Sequence, residues 1–287
     1  MRAPTRPTTI SGISTIADNY DAFLLDQFGV LHDGKHALPG AIDCFDRLVR
    51  SGKQLIVLSN TSRRRDFARG KLPGLGFDDA SLAGFVCSGE EAWRHMARNC
   101  RGQRCVWLSW SADFHAWQGD YLTGTDVTLA SADEADFVLC HGSQRVRTDK
   151  AGDGEPTGLQ TGDELSAYAD SVLARCASRG LPMVCANPDI HVTLPDGSRG
   201  NMPGQLAARY EEHGGTVAYF GKPYAPAFDA ALALLAGRAG GADLDGGVDL
   251  SRVLHVGDSL AHDVAGANAS GIALPDPTLR YPTLALT

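Results

Sequence analysis

Residues 24–34 read LLDQFGVLHDG, and this stretch decides how the rest of the chain is interpreted. Its two leucines and the preceding Phe23 form a short, continuously apolar run, which is typical of a parallel strand buried on both faces. Asp26 stands at the end of that run, and Gly29 indicates a turn directly after it. The pattern therefore predicts a carboxylate at the carboxyl end of a buried strand, with the aromatic Phe28 two residues further along.

The composition of the chain limits what kind of protein can carry this stretch. Of its 287 residues, 43% are hydrophobic, which is enough for a packed core and favours two domains. The net charge is −8 and is spread without long runs of one sign, so binding to nucleic acid or to an anionic membrane is disfavoured. The N-terminal stretch MRAPTRPTTISG has no apolar core of the length that a signal peptide requires, and no apolar run approaches the about 20 residues of a membrane span. We therefore expect a soluble, cytoplasmic protein.

The seven cysteines are scattered, and no pair has the two-residue gap of a zinc knuckle. Reduced thiols are therefore expected. A zinc site made of Cys140, His141, Cys185 and His191 is disfavoured, because such spacings arise freely in a chain with this many cysteines and histidines.

Apolar strands alternate with amphipathic helices along much of the chain. Further strands are predicted at QLIVLSN (54–60), TVAYFGKP (216–223) and RVLHVGDS (252–259), and helices after Gly40, over 225–237 and over 262–271. Alternation of this kind implies right-handed crossovers. The predicted fold is therefore α/β, with a doubly wound parallel sheet.

Four predicted strand ends carry side chains that suit phosphate chemistry, namely Asp26, Ser59, Lys222 and Asp258. Ligands of such sheets bind beyond the carboxyl ends of the strands. Two carboxylates, a hydroxyl and an amine could together hold a divalent metal and a phosphoryl group. Ser59 and Asp258 could instead be helix caps, and Lys222 could be a solvated surface lysine. Their joint occurrence at four strand ends favours a site.

A long stretch between the second and third of these strands has its own pattern. Strand-like segments cover 104–110, 135–143 and 181–189, and a capped helix is predicted over 161–180. We therefore predict an inserted α/β domain over 89–204, and a core domain formed by 1–88 and 205–287.

Four motifs, taken in order, resemble those of the haloacid dehalogenase superfamily, in particular its class IIA phosphatases, the group of p-nitrophenyl phosphatase, pyridoxal phosphatase and phosphoglycolate phosphatase. They are LLDQFGVLHDG (24–34), VLSNTSRR (57–64), YFGKPY (219–224) and HVGDSLAHDVAGANASGI (255–272). SGEEA at 88–92 and NPD at 187–189 resemble features of class IIA and its large cap. The resemblance extends over about residues 20–272 and implies a Rossmann-like core with an inserted cap that selects the substrate.

The resemblance implies a Mg2+-dependent phosphatase of a small phosphorylated metabolite, such as a sugar phosphate, in which Asp26 forms an aspartyl phosphate. Mg2+ would be held by the carboxylates of Asp26, Asp258 and Asp263 and by the backbone carbonyl of Phe28. The other implied site residues are Ser59 and Lys222 in catalysis, and Asn60, Thr61, Asn187 and Asp189 in substrate binding. A homodimer formed through the cap is also expected.

Phe28 departs from the pattern of the family's phosphatases. They have an aspartate there, which protonates the leaving group and later activates water, and such catalysis is worth roughly 10²- to 10⁴-fold. One alternative is therefore a catalytically weak or inactive phosphometabolite-binding protein. Another is a dehalogenase-like hydrolase whose leaving group needs no proton, although such enzymes lack metal aspartates like Asp258 and Asp263. His32 and Asp33 could replace the acid, or could form turn hydrogen bonds.

Several other features have two interpretations. The arginines at 63–65 could face a substrate anion or lie in solvent. His191 could reach the cleft or be a structural imidazole. The tryptophans at 93, 107, 110 and 117 are expected in the core of the inserted domain. Three prolines between residues 275 and 282 argue against a regular strand at the C-terminus.

Overall fold

The structure is a computed structural model, in which residues 10–111, 121–149, 152–160, 162–194, 196–237 and 248–272 are described. The expectations for Trp117 and for the proline-rich C-terminus fall outside these residues. None of the helices within the described ranges combines the length and the apolar character needed to span a membrane.

The secondary structure elements are as follows. The strands are β1 (Ala22–Leu25), β2 (Gln54–Ser59), β3 (Gly84–Cys87), β4 (Arg104–Ser109), β5 (Thr128–Leu129), β6 (Phe137–Cys140), β7 (Arg145–Arg147), β8 (Glu155–Pro156), β9 (Pro182–Cys185), β10 (His191–Thr193), β11 (Arg199–Asn201), β12 (Thr216–Tyr219) and β13 (Val253–Val256). The α-helices are α1 (Ala41–Arg50), α2 (Arg65–Arg69), α3 (Ser88–Asn99), α4 (Ala167–Ser178), α5 (Pro203–Glu212), α6 (Ala225–Leu235) and α7 (Ala265–Ala269). A π-helical turn, Leu260–Val264, leads directly into α7.

The chain divides into two compact units. The first comprises Met1–Ser59, Ala68–Val86 and Lys222–Thr287, and the second comprises Asn60–Phe67 and Cys87–Gly221. Each unit has its own main sheet.

The first unit contains a parallel sheet with the strand order β13-β1-β2-β3. β1 lies between β13 and β2, with Leu24 opposite His255 on one side and Ile56 on the other. All four residues of β1 are buried. Helices α6 and α7 pack on one face of this sheet through an apolar cluster that includes Phe228 and Ala267. Parallel strands connected through helices confirm the predicted α/β fold.

The second unit contains a larger sheet with the order β12-β9-β6-β4-β7-β8, and β5 pairs with β4. Its parallel part is formed by β12, β9, β6, β4 and β5, while β7 and β8 are antiparallel. An apolar cluster that includes Leu173 of α4 and Leu206 of α5 also contains Val106 and Met183 of the sheet. Separately, β10 and β11 form an antiparallel pair.

Of the strand predicted at 216–223, residues 216–219 form β12, but the predicted placement of this strand in the core sheet is wrong. β12 pairs in parallel with β9 of the second unit, from Thr216 opposite Pro182 to Tyr219 opposite Cys185. A short apolar strand carries no local signal that tells which of two parallel sheets it joins. Residues 205–221 accordingly belong to the second compact unit. The division into a core and an inserted cap stays a prediction.

Candidate active site

The first unit brings together three of the predicted site residues around one ammonium group. Asp26 directly follows β1, and its backbone N–H donates to the carbonyl of Val256 at 2.8 Å, which ties the end of β1 to the end of β13. The Nζ of Lys222 lies 2.8 Å from Oδ1 of Asp26 and 2.6 Å from Oδ1 of Asp263. All three side chains are buried. A buried lysine thus bridges two buried carboxylates.

Two glycines allow the acidic side chains to approach the backbone of the site. Gly29 has a left-handed φ of 82°, and a Cβ atom there would overlap the carboxylate of Asp258. A Cβ atom at Gly257 would overlap the side chain of Asp263. Any other residue at these positions would have to displace an aspartate. The glycines of the first and fourth motifs therefore make room for the carboxylates.

The arrangement of carboxylates fits a divalent cation. One carboxylate oxygen each of Asp26, Asp258 and Asp263 lie within 4.8 Å of one another, and Asp258 is exposed. Hard oxygen ligands of this kind are those that Mg2+ and Ca2+ prefer. These three residues could therefore hold such an ion between them, with Asp258 on its open side.

The charges of the cluster are set by burial and by the close contacts. Burial raises the pKa of Asp26 to about 7, against the opposing effect of the Lys222 ammonium. Burial would also raise the pKa of Asp263, but Lys222 and His255 hold that pKa below its ordinary value. Burial would lower the pKa of Lys222, yet the two carboxylates more than offset this and raise it. Asp26 is therefore the member that takes up a proton first as the pH falls.

His255 is a site residue that the sequence analysis missed. It is fully buried in β13, with Nδ1 2.9 Å from the carbonyl oxygen of Leu24 and Nε2 2.8 Å from Oδ1 of Asp263. The imidazole thus connects the backbone of β1 to an aspartate of the cluster. A signal was available, because a titratable residue within a buried apolar strand needs polar partners.

The remaining predicted residues fall on both sides of the boundary between the units. Ser59 ends β2 in the first unit, whereas Asn60 and Thr61 begin a segment of the second. In the second unit, Nδ2 of Asn60 donates to Oδ1 of Asp189 at 2.7 Å. Oδ1 of Asn187 accepts the backbone N–H of Asp189 at 2.8 Å. Three of the four predicted substrate-binding residues are thus connected, although their role stays a prediction.

The loop after Phe28 forms the turn hydrogen bonds that were one of its two interpretations. Nδ1 of His32 accepts the N–H of Gly34 at 2.9 Å, and Oδ1 of Asp33 accepts the N–H groups of residues 35–36 at 2.8 and 2.7 Å. The ring of Phe28 packs edge to face with that of His32, with the centroids 6.2 Å apart. A Cβ atom at Gly34 would lie 3.2 Å from the Phe28 ring. Phe28 is therefore part of the packing of its own loop.

Among the ambiguous residues, Arg64 and Arg65 both contact Glu90 within the second unit. Burial lowers the pKa of Arg63 to about 10. His191 is exposed on β10. As expected, Trp107 and Trp110 are buried, while Trp93 is partly buried.

Comparison with known proteins places these residues in a family context. A family model described as haloacid dehalogenase-like hydrolase matches residues 23–118, and a related HAD-hydrolase-like model matches residues 219–274. A haloacid dehalogenase-like hydrolase from Brucella suis has a similar solved structure, with a TM-score of 0.75 and 27% identity over 93% of this chain and 88% of that one.

Three further matches concern glycerol phosphate phosphatases of Mycobacterium tuberculosis. D-glycerol 3-phosphate phosphatase is 30% identical over 91% of this chain, which spans 63% of the length of that relative. The structure of a glycerol phosphate phosphatase in complex with calcium has a TM-score of 0.60 and 21% identity, over 91% of this chain and 64% of that one. A complex of the same phosphatase with magnesium has a TM-score of 0.58. At this identity the two complexes show the fold alone.

Proposed function

Because this chain belongs to the haloacid dehalogenase-like hydrolases, we propose that it is a divalent-metal-dependent phosphatase of a small phosphate monoester, such as a sugar phosphate. The membership confirms the family to which the four motifs were assigned. The observation that carries the proposal is the buried cluster of Asp26, Lys222 and Asp263 beside Asp258. The glycerol phosphate phosphatase relative supports a small phosphorylated substrate.

Asp26 is the nucleophile in this proposal. Both Lys222 Nζ and the N–H of Gln27 engage its Oδ1, at 2.8 and 2.6 Å, so we assign the attack on phosphorus to Oδ2. The new O–P bond forms as the ester P–O bond breaks, and water then hydrolyses the aspartyl phosphate. The ammonium of Lys222 offsets negative charge on the nucleophile and on the transferring group.

The proposed metal ligands are the carboxylates of Asp26, Asp258 and Asp263 and, by the family resemblance, the carbonyl of Phe28. A bound Mg2+ would supply positive charge to the phosphoryl oxygens. The carboxylate oxygens of Asp26, Asp258 and Asp263, which lie within 4.8 Å of one another, support a divalent ion. His255 holds Asp263 in place from the side of β13.

Substrate binding is assigned to residues that follow the strand ends. Ser59 and the segment that begins with Asn60 and Thr61 would bind the phosphoryl oxygens, while Asn187 and Asp189 would contact the rest of the substrate. The second unit would act as the cap that selects the substrate. A homodimer formed through it and a cytoplasmic location belong to the same proposal.

A phosphate-binding protein without turnover is the second candidate. Phe28 favours it, because its ring supplies no proton to a leaving group and packs against its own loop. A dehalogenase-like reaction is disfavoured, because Asp258 and Asp263 are placed to hold a metal that such enzymes do not use.

The proposal is tested by incubating the protein with sugar phosphates, glycerol phosphates, phosphoglycolate, pyridoxal phosphate and aryl phosphates, with Mg2+ or with EDTA. We expect phosphate release that depends on Mg2+ and is abolished by EDTA. Tight binding of an ester without turnover would select the second candidate. If the protein neither hydrolysed nor bound any of the esters, both candidates would be overturned.

A further inference from the structure

The beginning of α3 is hydrogen-bonded to the segment of residues 60–65, which directly follows Ser59. The N–H of Gly89 and the Oγ of Ser88 each donate to the carbonyl of Thr61 at 3.0 Å. N–H groups in the first turn of a helix have no partner within the helix, so they are available for such a contact. One carbonyl of the segment is thus held by two donors of α3.

Close packing around Ser62 fixes the same segment from other sides. His141 Nε2 lies 2.9 Å from the Ser62 carbonyl, and Nε1 of Trp110 donates to the Ser62 Oγ at 3.0 Å. A Cβ atom at Gly89 would overlap the Ser62 carbonyl, so a larger residue would displace the segment. Tyr121 stacks on His141 at 3.9 Å, and its hydroxyl donates to the Gly89 carbonyl at 2.5 Å. The segment and the beginning of α3 therefore share one buried network.

Glu90 connects α3 to the far end of the segment. Its side chain is 8% exposed, and its Oε2 accepts from Nε of Arg64 at 2.7 Å and from the N–H of Arg65 at 3.2 Å. The Arg64 guanidinium also lies 3.7 Å from the ring centroid of Trp93, which is three residues after Glu90 on α3. Charge-assisted hydrogen bonds of this kind are stronger than neutral ones. Arg64 is thus held between a carboxylate and an aromatic ring of one helix.

These contacts also orient the backbone of the segment. In a trans peptide the C=O and the N–H point in opposite directions. Since the Thr61 carbonyl points to α3, the N–H of Ser62 points away from α3. A backbone N–H that points away from the helix in this way is the kind of donor that an anion-binding turn uses.

We infer that Ser88, Gly89 and Glu90 form a seat that positions segment 60–65 for phosphate binding, with Glu90 acting through Arg64 and Arg65. This inference rests on the proposed function, in which Asn60 and Thr61 bind the phosphoryl group. It assigns a role to the SGE sequence at 88–90. Glu90 is a positioning residue, since it holds the segment and does not itself contact the substrate.

Kinetics of Glu90→Ala and Glu90→Gln test the inference, with Glu91→Ala as the matched control. Glu91 is the next residue of α3 and pairs with Arg94 at 2.9 Å. We expect Glu90→Ala to raise both KM for the ester and Ki for inorganic phosphate about tenfold, with kcat changed less, because a buried charged partner is lost. Glu90→Gln keeps a hydrogen-bond acceptor. Its KM and Ki should therefore lie between those of Glu90→Ala and those of wild type. For Glu91→Ala, both KM and Ki should stay within about twofold of wild type, because Glu91 pairs with Arg94 of its own helix.

Hydrogen exchange of the segment gives a readout that needs no turnover. Amides of residues 60–65 should exchange faster in Glu90→Ala than in wild type or Glu91→Ala. If Glu90→Ala fails to fold, Arg64→Gln removes the same contact from the other side and should raise Ki for inorganic phosphate in the same way. Folded variants with unchanged Ki and unchanged exchange would overturn the inference. Absence of turnover in wild type would instead count against the proposed function, while calorimetry with inorganic phosphate would still decide whether the seat supports binding.

Discussion

The Nζ of Lys222 lies 2.8 Å from Oδ1 of Asp26, so the proposed nucleophile and its counter-charge form a buried ion pair. The same ammonium lies 2.6 Å from Asp263. Removing one partner of a buried pair leaves the other charge without compensation, which is more costly than loss of a surface pair. The cluster therefore contributes to stability as well as to the proposed chemistry.

Replacement of Lys222 by methionine tests the structural part of this relationship. We expect Lys222→Met to lower the free energy of unfolding by about 3–5 kcal/mol, because Asp26 and Asp263 lose their counter-charge. Urea denaturation measures the change. Lys53→Met is the control, since Lys53 is partly buried and donates to the carbonyl of Tyr20 rather than to a carboxylate. Equal effects of the two substitutions would contradict the assignment.

Replacement of Asp26 by asparagine tests the nucleophile. Asp26→Asn is nearly isosteric but removes the attacking charge, so turnover should fall by about 10³-fold or more while the fold is kept. Initial rates with the best ester, together with circular dichroism, measure both quantities. A rate within tenfold of wild type would place the chemistry at another residue.

The pH dependence of metal binding follows from the pKa of Asp26, which burial raises to about 7. Below this pH, Asp26 carries a proton that must leave before its carboxylate can bind a cation. The affinity for Mg2+ should therefore be constant well above pH 7 and decrease at lower pH. For the release of one proton, this decrease can reach about tenfold per pH unit. Calorimetric titration between pH 5.5 and 8.5 measures it, and Asp26→Asn should lack this dependence. A wild-type affinity that is constant down to pH 5.5 would be evidence against Asp26 as a ligand.

Installing a carboxylate at position 28 tests whether a general acid is missing. Wild type should prefer aryl and acyl phosphates, whose leaving groups depart without a proton, and Phe28→Asp should speed alkyl phosphate hydrolysis by up to about 10²-fold. Rates with one aryl and one alkyl ester measure the effect. The gain requires that the loop tolerates loss of the ring that packs on Gly34 and beside His32.

Two results would contradict this interpretation of Phe28. Ordinary phosphatase rates of wild type on alkyl esters would show that another residue transfers the proton. A folded Phe28→Asp variant with no gain on those esters would agree with that conclusion. His32→Ala and Asp33→Asn would then identify the acid.

Much of the first unit could be predicted from the sequence because its signals are local. β1, β2 and β13 are short apolar runs. Ser59 is the last residue of β2, Asp26 directly follows β1, and Asp258 is the second residue after β13. Parallel strands place their carboxyl ends at one edge of a sheet. The proximity of Asp26 to Asp258 was therefore predictable before any coordinate was known.

Tertiary structure alone decided the features that depend on long-range pairing. β12 has the same apolar character as a core strand, yet it pairs with β9, because strand composition does not encode the partner strand. His255 and Glu90 are ordinary polar residues in the sequence, and only folding brings them to Asp263 and Arg64. A buried polar side chain requires a hydrogen-bond partner, but the sequence does not show which residue supplies it. The motifs and their order are visible in the amino-acid sequence, whereas packing determines which residues hold them in place.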